Sequence, residues 1–378
     1  MQPTKLPVPG RSSSHKTNAL INSQNSTTLI VGSGLAGSLL AWRMDQLGQP
    51  YQLIGSSTLP NAWSVAAGVI NPVTGRWMTK SWEIDRLLPE AEATYRKIEQ
   101  TLGIQVYHPV PLYRYCQQPE DAKRMGRRMR NPRYQNVLGA FLPAGNGPAA
   151  LIDPLGSFEI LNAAYVDLPT LIQALHTYFN EKSCLRDENF LHAELQPIGD
   201  EWHYHDLRAK RVIFCEGTGL RNNPWFNTLP LTPAKGETLI LKAPSLELPK
   251  SLYHHKKWIL PYGDGTLRLG ATYDESDLSP EPTQQGYDEL YNAARSFIRP
   301  EHELQLKAHY SGHRPTTPDA RPLLGQHPQA RGLYLLNGLG SKGASLAPEM
   351  SRVLVEHLEN GQPLEAEIDL ARFGEPSV

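Results

Sequence analysis

Residues Gly32-Ser33-Gly34-Leu35-Ala36-Gly37 spell G-x-G-x-x-G, a spacing suited to holding a pyrophosphate against backbone. Gly32 would make the tight turn, Gly34 would admit the diphosphate, and Gly37 would let a helix pack closely on a strand. The N–H groups of Leu35 and Ala36 open that helix, where the positive end of its dipole favours an anion. A second turn, Gly338-Leu339-Gly340-Ser341-Lys342-Gly343, also precedes a helical stretch and adds the Lys342 ammonium. Arg314 lies in a run dense in proline and polar residues, from His309 to Gly325. Its planar guanidinium suits a bidentate carboxylate contact, although a surface pair with Asp319 is the plainer use. No metal site is expected. His203 and His205 alternate in one strand without further ligands, and Cys116, Cys184 and Cys215 are widely separated.

The elements around these residues are legible. Thr28–Val31 is a short apolar run, and Ser38–Leu47 has helical spacing closed by Gly48. Tyr51–Ile54 reads as the next strand. An acidic residue should close that strand and bond the ribose, but Gly55 stands there, followed by Ser56 and Ser57. Those hydroxyls are the available substitutes, and restoring a carboxylate by Gly55→Glu would be expected to tighten binding. The small-residue run from Ser64 through Ala67 and Gly68 suits a backbone lying against a flat ligand. Lys210–Gly219 reads as another strand of the same parallel sheet, with Gly217 at its end letting ligand approach. Strand candidates at Thr238–Leu241, Trp258–Pro261 and Thr266–Ala271 follow one another without helices, which predicts a separate, mostly antiparallel sheet. The fold class is thus α/β, a Rossmann-like dinucleotide domain with a second β-sheet domain.

The chain has 378 residues, a formal net charge of −1 and 40% hydrophobic residues, enough for two domains. Near-neutrality offers no global field for nucleic acid or anionic membrane, and no apolar run reaches spanning length. The basic residues Lys123, Arg124, Arg127, Arg128, Arg130 and Arg133 have few interleaved aromatics and read as the solvated side of a helix. Residues 1–26, rich in Ser, Pro and Asn without an acidic residue, read as a disordered tail. The separated cysteines fit reduced thiols in a cytoplasmic protein.

Taken in order, VGSGLAG, SVAAGVINP, VIFCEGTG, ILPYGDGTLRLGATYD, GHRPTTPDARPLLG and NGLGSKGASLAP resemble the D-amino-acid oxidase and glycine oxidase family of FAD-dependent oxidoreductases. The resemblance covers about Thr27 to Gly361. It implies a discontinuous FAD-binding domain of residues 27–81, 163–232 and 311–360. The substrate domain would comprise residues 82–162 and 233–310, leaving 361–378 as a C-terminal tail. It further implies FAD as cofactor and hydride loss from the carbon next to nitrogen of a small amino acid or amine. Arg314 would hold the substrate carboxylate, Tyr262 would line the substrate side, and Lys342 would stabilise negative charge on the reduced ring.

Two other readings compete. NGLGSKGASLAP also resembles the oxidoreductase half of a bifunctional tRNA-modification enzyme; the basic cluster favours that reading, whereas net charge and the missing methyltransferase half oppose it. Gly55 motivates a non-catalytic FAD-fold binding protein, for which colourless protein that ignores added FAD would be the sign.

Overall fold

The apolar run that opens the dinucleotide motif forms the strand Thr27–Val31, four of whose five residues are buried. In the computed structural model, which describes residues 27–58 and 61–374, this strand is central to an eight-stranded sheet. Parallel neighbours Tyr51–Gly55 and Leu207–Phe214 flank it, and Leu185–Asp187 extends the sheet beyond Tyr51–Gly55. Leu207–Phe214 forks. Its beginning pairs with antiparallel Glu201–Tyr204, and its end pairs with parallel Leu333–Asn337. Leu195–Ile198 and Leu323–Gln326 complete the two branches.

Side chains alternate across this sheet as the strand period of two requires. Ile30 joins a core with Leu40, Tyr95, Leu175 and Met350, contributed by the helices Leu35–Gln46, Ile84–Leu102, Leu168–Glu181 and Gly343–Asn360. Leu29 and Val31 join the opposite core with Trp202, Phe214 and Phe226. Burying each large aliphatic or aromatic side chain contributes about 1.5–3 kcal/mol. The Tyr95 hydroxyl also donates to the Ala344 carbonyl at 2.7 Å, tying Ile84–Leu102 to the start of the last long helix.

A second eight-stranded sheet runs, in spatial order, Gln305–Arg314, Ala234–Lys242, Thr266–Gly270, Trp258–Pro261, Leu252–His254, Leu112–Tyr115, Ser157–Ile160 and Leu138–Leu142. Its pairings are antiparallel except that of Leu252–His254 with Leu112–Tyr115. Leu239, Leu241, Leu267 and Leu269 pack one face against Leu290 and Ala294 of the helix Gln284–Arg295. Two expected boundaries shift. Gln305–Arg314 is one strand paired along Ala234–Lys242, so a domain boundary at residue 311 would cut through it. The stretch after residue 361 is not a tail throughout. Ile368 and Leu370 are buried, and Leu324 N–H donates to the Ile368 carbonyl at 2.9 Å. Residues 1–26, expected to be disordered, lie outside the described part.

Candidate cofactor and substrate site

A cavity of about 410 Å³ lies where the two sheets meet. Its lining begins with the glycine turn. Gly32 has φ of +105°, and a Cβ there would sit 2.5 Å from the Cys215 carbonyl oxygen. Gly37 lies so close to the Gly32 carbonyl that no side chain fits. Gly34 is different: a Cβ would meet only Trp63, at 4.0 Å, and would project toward the cavity. Gly34 is also the N-cap of Leu35–Gln46 and supplies no side-chain cap, leaving first-turn N–H groups for an anion. Gly343–Asn360 likewise begins without a side-chain cap, with Gly340, Ser341, Gly343 and Ala344 at the lining. An uncapped helix start and an open Gly34 fit a dinucleotide diphosphate.

The turn is held from behind. His176 Nε2, on Leu168–Glu181, lies 2.8 Å from the Ser33 carbonyl oxygen, and the Ser38 hydroxyl donates to the same oxygen at 3.0 Å. Burial pushes the His176 pKa down, which favours the neutral imidazole.

Gly55 corrects the sequence-based expectation. A Cβ there would lie 2.5 Å from the Ser33 backbone nitrogen and closer still to its hydroxyl, so the turn itself excludes an acidic side chain. Ser56 lines the cavity; Ser57 does not. Instead Ser57 donates its N–H and hydroxyl to Asp187, at 2.8 and 2.7 Å, and Asp187 stands in register beside Gly55. The carboxylate that does line the cavity is Glu216, at the end of the Lys210–Gly219 run. It lies 2.8 Å from His192 Nε2 and accepts the Asn223 amide at 2.8 Å.

Arg314 ends its strand at the cavity. Its guanidinium donates to the carbonyls of Lys235 and Thr272, at 3.2 and 3.1 Å, and lies 5.5 Å from the Tyr273 ring centre. It fills the space a Gly236 side chain would need. No carboxylate pairs with it among the described residues, and Asp319 instead binds Arg372 at 2.8 Å. Burial lowers the Arg314 pKa, yet a guanidinium remains charged.

The other expected site residues divide. Leu35, Ala36, Ala67, Gly68 and Gly217 line the cavity. Ser64, Gly338, Lys342 and Tyr262 do not. Ser64 turns to Asn61, and Gly338, with φ of +71°, packs toward Thr317 and Leu323. Burial and the nearby charge of Arg321 lower the Lys342 pKa. Tyr262 is 41% exposed in the hairpin between Trp258–Pro261 and Thr266–Gly270, and Trp258 occupies the wall instead. The period of two explains this: Trp258 and Tyr262 share a parity, but the turn after Pro261 carries Tyr262 away.

Trp63, Gly236, Thr238, Trp258, His313 and Asn337 also line the cavity and were not singled out from the sequence. Asn337 precedes the second glycine turn and His313 adjoins Arg314, so adjacency was the available signal. Gly236, Thr238 and Trp258 carried none, because only strand pairing brings them together. Among the described residues no group of three or more His, Cys, Asp or Glu could hold a metal.

The model of the FAD dependent oxidoreductase family, DAO, matches residues 27–357. The chain therefore belongs to the DAO family of FAD-dependent oxidoreductases. It is 27% identical over 192 residues to glycine oxidase of Pseudomonas aeruginosa, covering 50% of this chain and 51% of that one. It is 25% identical over 353 residues to the tRNA 5-methylaminomethyl-2-thiouridine biosynthesis bifunctional protein of Marinobacter nauticus, covering 87% of this chain and 55% of that protein. The chain thus spans about half the length of these curated relatives. Iminodiacetate oxidase from Chelativorans shares its fold, with a TM-score of 0.77, 22% identity, and coverage of 93% of this chain and 100% of that one. No described helix is long and apolar enough to cross a membrane.

Proposed function

We propose that this protein oxidises a small amino acid at the carbon next to nitrogen, holding its carboxylate on Arg314. The observation that carries this reading is a half-buried guanidinium at the cavity that has backbone carbonyls but, among the described residues, no carboxylate for partners. A cation held partly out of water without a counter-charge is costly, and a substrate carboxylate would supply the missing charge.

FAD supplies the hydride acceptor. Gly32, Gly34, Leu35 and Ala36 would hold its diphosphate, with Gly37 packing the helix onto the turn, while Ala67, Gly68, Gly340, Ser341 and Gly343 would border the rest. The uncapped start of Gly343–Asn360 would offer its positive dipole end to negative charge on bound FAD. Arg314 orients the substrate, and Trp258, Val65 and Thr238 wall off water beside it.

Anaerobic flavin bleaching by an amino acid and by its decarboxylated amine tests the reading in wild type, Arg314→Lys and Arg314→Leu. Arg314→Lys keeps the charge but loses the two-pronged contact, so the acid's apparent affinity should fall about tenfold, and further in Arg314→Leu. The amine should respond equally in all three. Parallel losses for acid and amine would show that Arg314 only supports the fold.

A further inference from the structure

Two strands from Trp258, in the same cross-strand row, Arg114 lines a different cavity. Trp258 pairs with His254, and His254 pairs with Arg114, so the three share one face of the second sheet. This cavity, of about 590 Å³, is also bordered by Arg76, Gln117, Gln118, Asp121 and Lys256. Arg114 is only 7% exposed, yet its guanidinium makes a single hydrogen bond, from Nη2 to the Gly75 carbonyl at 2.9 Å. Among the described residues no carboxylate forms an ion pair with it. Asp121 is already engaged by the N–H groups of Gln117 and Gln118 and by Arg124 at 2.9 Å. Arg76 and Lys256 are exposed and, among the described residues, form no ion pair, adding two further positive charges.

An aromatic platform adjoins these charges. Trp77 is 61% exposed, with the Arg76 and Arg124 guanidinium carbons 5.7 and 5.1 Å from its ring centre. Arg127, Arg128 and Asn131 complete a second hollow around it. Arg128 is committed to the Trp77 carbonyl and the Tyr134 hydroxyl, which fixes the hollow's floor, whereas Arg127 is exposed and free to meet a backbone phosphate. One buried guanidinium and two exposed cations beside an exposed indole match phosphate and base in one ligand.

We propose that this face binds nucleotide phosphate at Arg114, Arg76 and Lys256, stacks a base on Trp77, and thereby docks single-stranded nucleic acid. Arg127 extends the track for a neighbouring phosphate.

The test uses the flavin-loaded full chain and a fluorescent single-stranded RNA of about twelve nucleotides, followed by anisotropy. Adenosine monophosphate and inorganic phosphate serve as competitors. Trp77→Ala and Arg76→Ala are compared with wild type, flavin absorbance and melting temperature reporting on the fold. RNA should bind, weaken steeply between about 50 and 200 mM salt, and lose about tenfold in affinity in each variant while flavin content stays constant. Competition by the mononucleotide only far above the RNA concentration would assign the site to a strand. Competition at similar concentration would assign it to a free nucleotide with the same phosphate and base contacts. Absence of binding at low salt, binding unchanged in both variants, or inorganic phosphate competing as well as the mononucleotide would overturn the proposal.

Discussion

Gly34 and Gly55 both border the glycine turn, and they differ in what a side chain would meet. A Gly34 Cβ points into open cavity, so Gly34→Val should fold normally and exclude the diphosphate. A Gly55 Cβ collides with Ser33, so Gly55→Glu should distort the turn instead of supplying a ribose contact. Forcing atoms into a filled site costs about 1–3 kcal/mol. The expected pattern is loss of bound flavin in both variants, with a melting temperature equal to that of the wild-type apoprotein only for Gly34→Val. Tighter flavin binding in Gly55→Glu would show that Ser33 moves aside.

At the scale of elements, the glycine turn is positioned by a helix more than a hundred residues away in the chain. His176 on Leu168–Glu181 meets the Ser33 carbonyl, coupling that helix to the glycine turn. His176→Leu removes the contact, while the Ser38 hydroxyl still satisfies the oxygen. Stability should therefore fall by only about 1 kcal/mol. Flavin should dissociate several-fold faster as the turn loosens, and His176→Gln should recover part of the loss by restoring a donor. Stopped-flow dilution of the holoprotein measures both rates; identical release from wild type and His176→Leu would remove His176 from any positioning role.

For the whole molecule, one buried and several half-buried histidines set the acid limit. Burial lowers the pKa of His108, His176, His255 and His327, and burial together with the Arg114 charge pushes His254 down to about 3. A histidine with a lowered folded pKa takes its proton more readily when unfolded. Its contribution is therefore complete above the unfolded pKa near 6.5, declines as pH falls below that value, and levels off below the folded pKa. Each such residue can remove up to about 1.4 kcal/mol per pH unit within its window. Carboxylates such as Glu99, held below the usual range mainly by N–H donors from Val106 and Tyr107 against the pull of burial, add losses only at lower pH. Melting temperature should be flat from pH 8 to about pH 7 and fall from about pH 6 downward. A flat profile to about pH 5 would mean that these side chains are solvated.

What the sequence determined by itself is local. Gly32, Gly34 and Gly37 announced a strand, turn and helix because backbone geometry within ten residues dictates their spacing. The two-sheet architecture was legible because helical and strand periods alternate in one part of the chain and do not in another. Tertiary structure decided whatever depends on strand pairing or on distant segments meeting. It replaced Tyr262 with Trp258 at the wall, since the end of a hairpin turns its residues away from the sheet face. It filled the place of an acidic residue at Gly55 with Ser33, a close approach no spacing reveals. It joined Arg314 to Gly236 and Thr272 through the pairing of Gln305–Arg314 with Ala234–Lys242. It also set Trp77 against an arginine-rich helix forty-odd residues onward, making an aromatic, cationic surface from a run that read in isolation as solvated charge. Local backbone chemistry is written in neighbouring residues, whereas the company a side chain keeps is fixed by packing across the fold.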